Sequence, residues 1–273
     1  MPARVADWTA VWLGNLARTV LTSRRRIAMD NLRRAFGDEK SEPELEAITK
    51  EVFITIARTT FELLRLPVLK QQTILDMAAE FEGAEYLKQA ADTGKGAVLV
   101  TGHIGNWELL GALIYELGYP VDFLIGKQHN PYVQNMLIKI RASTGINLVP
   151  VGVGARQVMR LLKDNHFVAM VADQHSASAA TRVDFFGRPA ATPSGPAAFA
   201  VKLKCPILFG YLIRDNNNRC RVVAEPPIYP PDSGDREKDI VDMTQEYTKL
   251  LEKAIRKYPG QWMWTHRRWK IDG

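Results

Sequence analysis

From Trp8 to about Leu66 apolar residues recur at three- and four-residue steps, as in Val52, Ile56, Thr59, Leu63 and Leu66, which predicts helices ending at Pro67. From Gly94 onward the pattern changes to short β-rich runs separated by helical ones, the alternation of an α/β sheet. Strands are expected at residues 97–100, 121–125, 148–151, 167–172, 206–213 and 221–224. Helices are expected at 107–117, 131–142, 155–163, 194–203 and 238–257. The run Ala97, Val98, Leu99, Val100 has no polar alternation and predicts a strand buried on both faces. Asp215 to Asn218 is a run of turn-forming side chains and predicts a hairpin between the last two strands. The fold class expected is α/β, a mixed, mostly parallel central sheet flanked by helices. One domain is expected over 1–273, with a helical section at 1–66 and the α/β core at 94–273.

Charge narrows the partners. Lys and Arg number 36 against 30 Asp and Glu, a net +6, which points to an anionic partner: phospholipid headgroups, a phosphorylated substrate, an acidic carrier protein or nucleic acid. Two cysteines, Cys205 and Cys220, make no disulfide framework and fit a reducing compartment. No apolar run approaches the ~20 residues that span a bilayer. The nearest, 8–21, is interrupted by Asn15 and Arg18 and reads as an amphipathic helix. Its apolar face of Trp8, Val11, Trp12, Leu16 and Val20, followed by Arg24, Arg25, Arg26, Arg33 and Arg34, has the make-up of a segment lying on an anionic membrane or, equally, of a helix packed on its own domain.

The candidate chemistry lies where the first strand runs into Thr101, Gly102, His103, Ile104, Gly105, Asn106, Trp107 and Glu108, ahead of a helix. Ligands bind at the carboxyl ends of strands in open α/β sheets, and a helix start there presents free N–H groups. The glycines permit a tight turn around His103, and Asn106 can cap the helix. A turn before the helix brings the imidazole back over Glu108, which would fix the ring tautomer. The other ring nitrogen then takes a proton from a substrate hydroxyl attacking an acyl carbonyl, with the helix-start N–H groups as oxyanion donors.

The stretch T-G-H-I-G-N-W-E-L-L-G at 101–111 resembles the H-x4-D/E block of glycerolipid-type acyltransferases, and its H-x-G-N-W-E form resembles the lipid A late (secondary) acyltransferases. Four further blocks are similar in order: Asn31 to Phe36 (N-L-x-x-A-F), Ala172-Asp173-Gln174, Phe185-Phe186-Gly187, and the tail Pro259 to Arg268 (P-x-Q-W-x-W-x-H-R-R). The resemblance implies acyl transfer from acyl carrier protein to a hydroxyacyl group of a phosphorylated glycolipid, a Kdo-bearing lipid A precursor. It calls for no cofactor, metal or nucleic acid. His103 and Glu108 correspond to the catalytic pair. Gly105, Asn106, Lys127, Arg141, Asp173 and Gln174 are expected at the substrate, with Asp173 and His103 sharing one sheet edge because both follow strands. Lys127, Arg141 and the tail's Arg267 or Arg268 are expected to hold the headgroup. Lys127 departs from the arginine expected there, and a lysine holds phosphate as a point charge. The chain also departs in its short N-terminus, without the spanning helix of many members. Attachment is therefore expected to be peripheral or weak, at the cytoplasmic face of the bacterial inner membrane, on an anionic surface. An acyl-donor groove lined by apolar and aromatic side chains is expected beside the site. Coenzyme A remains an alternative donor, and a glycerolipid or another glycolipid an alternative acceptor.

Other classes fit less well. A dinucleotide fingerprint would need a third glycine after Gly102 and Gly105, and Asp122 stands at the start of its strand instead of its end. A metal hydrolase drawn from His103, His129, His166 and His175 lacks paired metal-ligand spacing. Ser194 has no G-x-S-x-G around it. A non-catalytic lipid-binding module has no use for a His and an acid at a sheet edge. The basic, aromatic segment 262–270 has the look of a nucleic-acid surface, but its place after the last helix predicts packing against the core.

Overall fold

The computed structural model describes residues 3–128, 130–152, 154–176, 180–215, 217 and 219–270. The N-terminal section is three helices: α1 (Ala3–Val20), α2 (Thr22–Phe36) and α3 (Glu42–Arg65). Ser41 and Glu44 form a capping box that starts α3, with the Ser41 N–H donating to Glu44 Oε2 at 2.8 Å. Helix α1 runs antiparallel to α3, tied by Arg58 to Asp7 at 2.7 Å and by Arg18 to Glu46 at 3.1 Å. Gly14 permits the close crossing, since an added Cβ would meet the Ile54 backbone at 2.8 Å.

Residues 67–93, which carry no clear pattern in the sequence, form a 3-10 turn (Leu66–Val68), α4 (Gln71–Met77), β1 (Ala78–Glu82) and α5 (Ala84–Ala91). The core strands are β2 (Ala97–Thr101), β3 (Val121–Ile125), β4 (Asn147–Pro150) and β5 (Phe167–Val171). A two-stranded hairpin follows, β6 (Ala180–Phe185) and β7 (Arg188–Pro193), and then β8 (Ile207–Arg214) and β9 (Cys220–Ala224). The other α-helices among the described residues are α6 (Trp107–Glu116), α7 (Pro131–Ala142), α8 (Ala155–Lys163), α9 (Gly195–Leu203) and α10 (Arg236–Lys257).

The main sheet has the order β1-β9-β8-β2-β5-β3-β4. From β8 to β4 neighbouring strands are parallel, and β9 turns back against β8 as the expected hairpin, with the Asp215 N–H donating to the Arg219 carbonyl at 2.9 Å. Asn216 and Asn218 lie outside the described residues. The expected α/β class with a mostly parallel sheet is thus the observed one.

Topology fixes where a ligand goes. Neighbouring strands β2 and β5 send the chain to opposite faces: α6 packs with Leu99 and Leu208, and α9 with Val98 and Met170. The carboxyl ends of such a divergent pair open a crevice.

Candidate active site

The parallel register places Thr101 opposite Val171, so the residues two positions further, His103 and Asp173, leave the sheet at one level. Their side chains meet: His103 Nδ1 lies 2.7 Å from Asp173 Oδ1. Asp173 Oδ2 accepts from the His103 backbone N–H and from the Trp262 indole N–H, each at 2.7 Å. Asp173 is 1% exposed. Burial works to raise its carboxyl, but the charge interaction with His103 and the hydrogen bonds from His103 and Trp262 outweigh it, and it titrates below the usual carboxylate range. An ionised carboxylate only accepts, so His103 Nδ1 carries a proton, and in the neutral imidazole the lone pair is then on Nε2. Gln174 adds a weaker contact, its amide nitrogen 3.4 Å from Nδ1.

The carboxylate that orients His103 is therefore Asp173, where Glu108 was expected. Glu108 begins α6 facing the other way, and Arg141 of α7 takes both of its oxygens, Nε to Oε2 at 3.0 Å and the second nitrogen to Oε1 at 2.5 Å. Glu108 touches His103 only at one remove. The Trp107 indole N–H donates to Glu108 Oε1 at 3.2 Å, and the Trp107 ring packs edge-on to His103 with centroids 4.7 Å apart. The five-residue spacing misled because Asn106 caps α6, accepting from the Leu109 N–H at 2.9 Å, which turns the first helical residues away from the loop.

Gly105 and Asn106, expected at the substrate, are spent on holding this loop. The Gly105 N–H donates to the Gln261 carbonyl at 2.8 Å, and the Asn106 N–H to the Leu212 carbonyl at 2.9 Å. From α3, Thr59 donates to the Gly105 carbonyl at 2.9 Å, and the Asn106 side-chain amide donates to Glu62 at 2.6 Å. Gly105 has φ of +58° and lies so close to the Leu212 carbonyl that no Cβ fits. The N–H groups of Trp107 and Glu108, at the start of α6, have no acceptor among the described residues and are free to serve a ligand.

The expected headgroup cations separate. Arg141 lines the cavity described next but is neutralised by Glu108; Lys127 and Arg267 are exposed, and Lys127 does not line it. Arg268 is 1% exposed beneath the β6–β7 hairpin, bonded to the Ala191 carbonyl at 2.8 Å and to Thr192, over the Phe185 ring; burial pushes its guanidinium down to about 10. The tail packs on the core as expected, with Trp262 and Trp264 buried among Phe185, Phe186 and Phe36. Asp122 and His166 pair at 2.8 Å at the opposite end of the sheet. His129 lies outside the described residues.

His103, Trp107, Glu108, Arg141 and Gln174 border a cavity of about 530 Å³ that continues between α6 and the sheet, where its walls are aliphatic and aromatic. That is the volume of a small-molecule site. A histidine held by a buried acid at the rim of an apolar slot has the geometry that a general base requires. A family model described as bacterial lipid A biosynthesis acyltransferase matches residues 1–271, and the chain belongs to that family of acyltransferases.

A phosphatidylinositol mannoside acyltransferase of Mycolicibacterium smegmatis is 25% identical over 227 residues, covering 79% of this chain and 70% of that protein. The Mycobacterium tuberculosis (H37Rv) protein of the same name is 24% identical over 77% of this chain and 66% of its own length, so the matched region spans just under two thirds of it. A lipid A biosynthesis acyltransferase of Haemophilus influenzae is 23% identical over 93% of this chain and 77% of its own. Among solved structures, the 1-acyl-sn-glycerophosphate acyltransferase PlsC of Thermotoga maritima aligns over 95% of this chain and 98% of its own, with 12% identity and a TM-score of 0.44.

Proposed function

We propose that this acyltransferase moves a fatty acyl chain from the thioester of acyl carrier protein to a hydroxyl of a phosphorylated glycolipid, a lipid A precursor, with His103 as general base. The observation that carries the reading is the His103–Asp173 pair at the rim of the apolar cavity. Nε2 accepts the hydroxyl proton as the oxygen attacks the thioester carbonyl; the C–O bond forms, the C–S bond breaks, and the imidazolium returns the proton to the leaving thiolate. The Trp107 and Glu108 N–H groups are the donors available to the oxyanion. The net positive charge suits an acidic carrier protein.

Docking on the cytoplasmic face of the bacterial inner membrane belongs to the same proposal. No helix among the described residues is long and apolar enough to cross a membrane. On α1, however, Val5, Trp8, Trp12, Leu16 and Val20 are exposed by 48, 68, 54, 43 and 64%, one stripe beside the arginines of α2. Trp8→Glu with Trp12→Glu should release the protein from anionic vesicles, and native binding should weaken with salt; vesicle sedimentation unchanged by either would remove this part of the reading.

A second acceptor is favoured by the mycobacterial relatives, which are named phosphatidylinositol mannoside acyltransferases. The deciding assay offers labelled acyl carrier protein thioester with three acceptors in parallel: a lipid A precursor, a phosphatidylinositol mannoside and lysophosphatidic acid. Product on the lipid A precursor is expected. Product on phosphatidylinositol mannoside alone moves the acceptor within glycolipids, and product on lysophosphatidic acid alone moves it to glycerolipids.

A further inference from the structure

We propose that Gly210 and the far end of the cavity, lined by Leu87 and Phe81, set the length of acyl chain that this enzyme accepts; the inference rests on the acyl-transfer reading above. The cavity passes from His103 under α6 and across the sheet from β2 over β8 and β9 to β1, three strand spacings or roughly 14 Å. Leu99, Gly210 and Ala224 lie along its floor, Leu110 of α6 lines it from above, and Leu87 of α5 with Phe81 of β1 stands at the far side. No charged side chain lies along this stretch, which suits an alkyl chain and nothing polar.

Gly210 is out of keeping with its strand. β8 is buried at every other position from Ile207 to Ile213, yet Gly210, in the middle of the sheet, is only partly buried. Strand alternation puts it on the face of Leu208, which also lines the cavity, so its accessible surface faces the slot. No left-handed backbone requires glycine here, because Gly210 is not among the residues with positive φ. The nearest atoms to an added Cβ are backbone atoms of β9, the Val223 carbonyl oxygen at 3.2 Å and Ala224 Cα at 3.8 Å, and no side chain occupies the space in front. A glycine inside a strand weakens it and marks a place where something else approaches closely. In this slot the approaching group is the methylene chain. A side chain at 210 would project into the slot between the catalytic histidine and its far end, shortening the space for an acyl chain. Removing bulk from Leu87 would deepen it.

The test compares kcat/KM for decanoyl, dodecanoyl, tetradecanoyl and hexadecanoyl carrier-protein thioesters in the full-length protein. Gly210→Leu should lower the hexadecanoyl-to-decanoyl ratio about 10–200-fold, the discrimination that a methylene or so commands in an apolar pocket. Leu87→Ala should raise the same ratio. Damage to folding alone lowers all donors together and leaves the ratio where it was. Should Gly210→Leu fail to fold, Gly210→Ala carries the shortening arm with a smaller shift in the same direction. Active variants with unshifted ratios overturn the proposal. No transfer by the native enzyme from any of these donors overturns the carrier-protein donor reading on which the inference rests.

Discussion

His103→Ala should abolish acyl transfer, with a loss of about 10²–10⁴-fold or more in kcat and little change in the thermal transition. The loss follows from Nε2 being the acceptor poised at the cavity rim. The small stability change follows because the His103 side chain keeps 20% of its surface exposed and its backbone contacts survive: its N–H still donates to Asp173, and its carbonyl still accepts from the Met263 N–H at 2.9 Å. Retained turnover in a folded His103→Ala protein would remove the general base from the account.

Asp173→Asn is expected to cost about 10⁴-fold in kcat, as when the orienting acid of a histidine base is replaced by its amide. Oδ2 takes two donors, the His103 N–H and the Trp262 indole, so the Asn carbonyl oxygen must occupy that place and its NH₂ must face Nδ1. An NH₂ group donates, which forces the ring proton onto Nε2 and leaves the base without its lone pair. The variant also changes the acid limb of stability. The Asp173 carboxyl titrates lower folded than unfolded, so its contribution is present above the unfolded pKa and is lost as the pH falls through the folded one. Native protein should therefore lose more stability between neutral and acid pH than Asp173→Asn does, measured by urea unfolding. Equal acid limbs and undiminished kcat would both contradict the assignment.

Much of the scaffold was legible because its central strands are mostly apolar runs. β2, β3, β5, β8 and β9 all fall where the expected runs stand, since apolar residues dominate each of them, with Asp122 in β3 and Arg221 in β9 as the polar residues near their starts. β1 was not legible: Ala78-Ala79-Glu80-Phe81-Glu82 has no β-branched residue and is a strand only because β9 offers it an edge. The β6–β7 hairpin was missed for a related reason, because its pairing is with itself and its exposed positions are polar.

Within the site, the sequence placed His103 and Asp173 at the ends of two strands, and the register completes the pairing. Which acid faces the imidazole depends on the direction in which α6 departs, and that is set by the Asn106 cap and by Glu62 and Thr59 behind it, 44 and 46 residues away. Trp262 could have been found from the tail that resembles the family's closing block, but its contact with Asp173 spans 89 residues and has no local signal. The Glu108–Arg141 pair has a different weight. Both partners are largely buried, and breaking it by removing one costs about 3–5 kcal/mol, so Glu108 variants act on stability as well as on the Trp107 ring beside His103.

Proton NMR of the imidazole N–H region tests the pairing at the centre of this account most directly, with the His103 signal identified by its loss in His103→Ala. An Nδ1–H resonance is expected in the native protein, persisting in Glu108→Gln and disappearing in Asp173→Asn. A resonance that disappears in Glu108→Gln and survives in Asp173→Asn would contradict it and return Glu108 to the role of orienting acid.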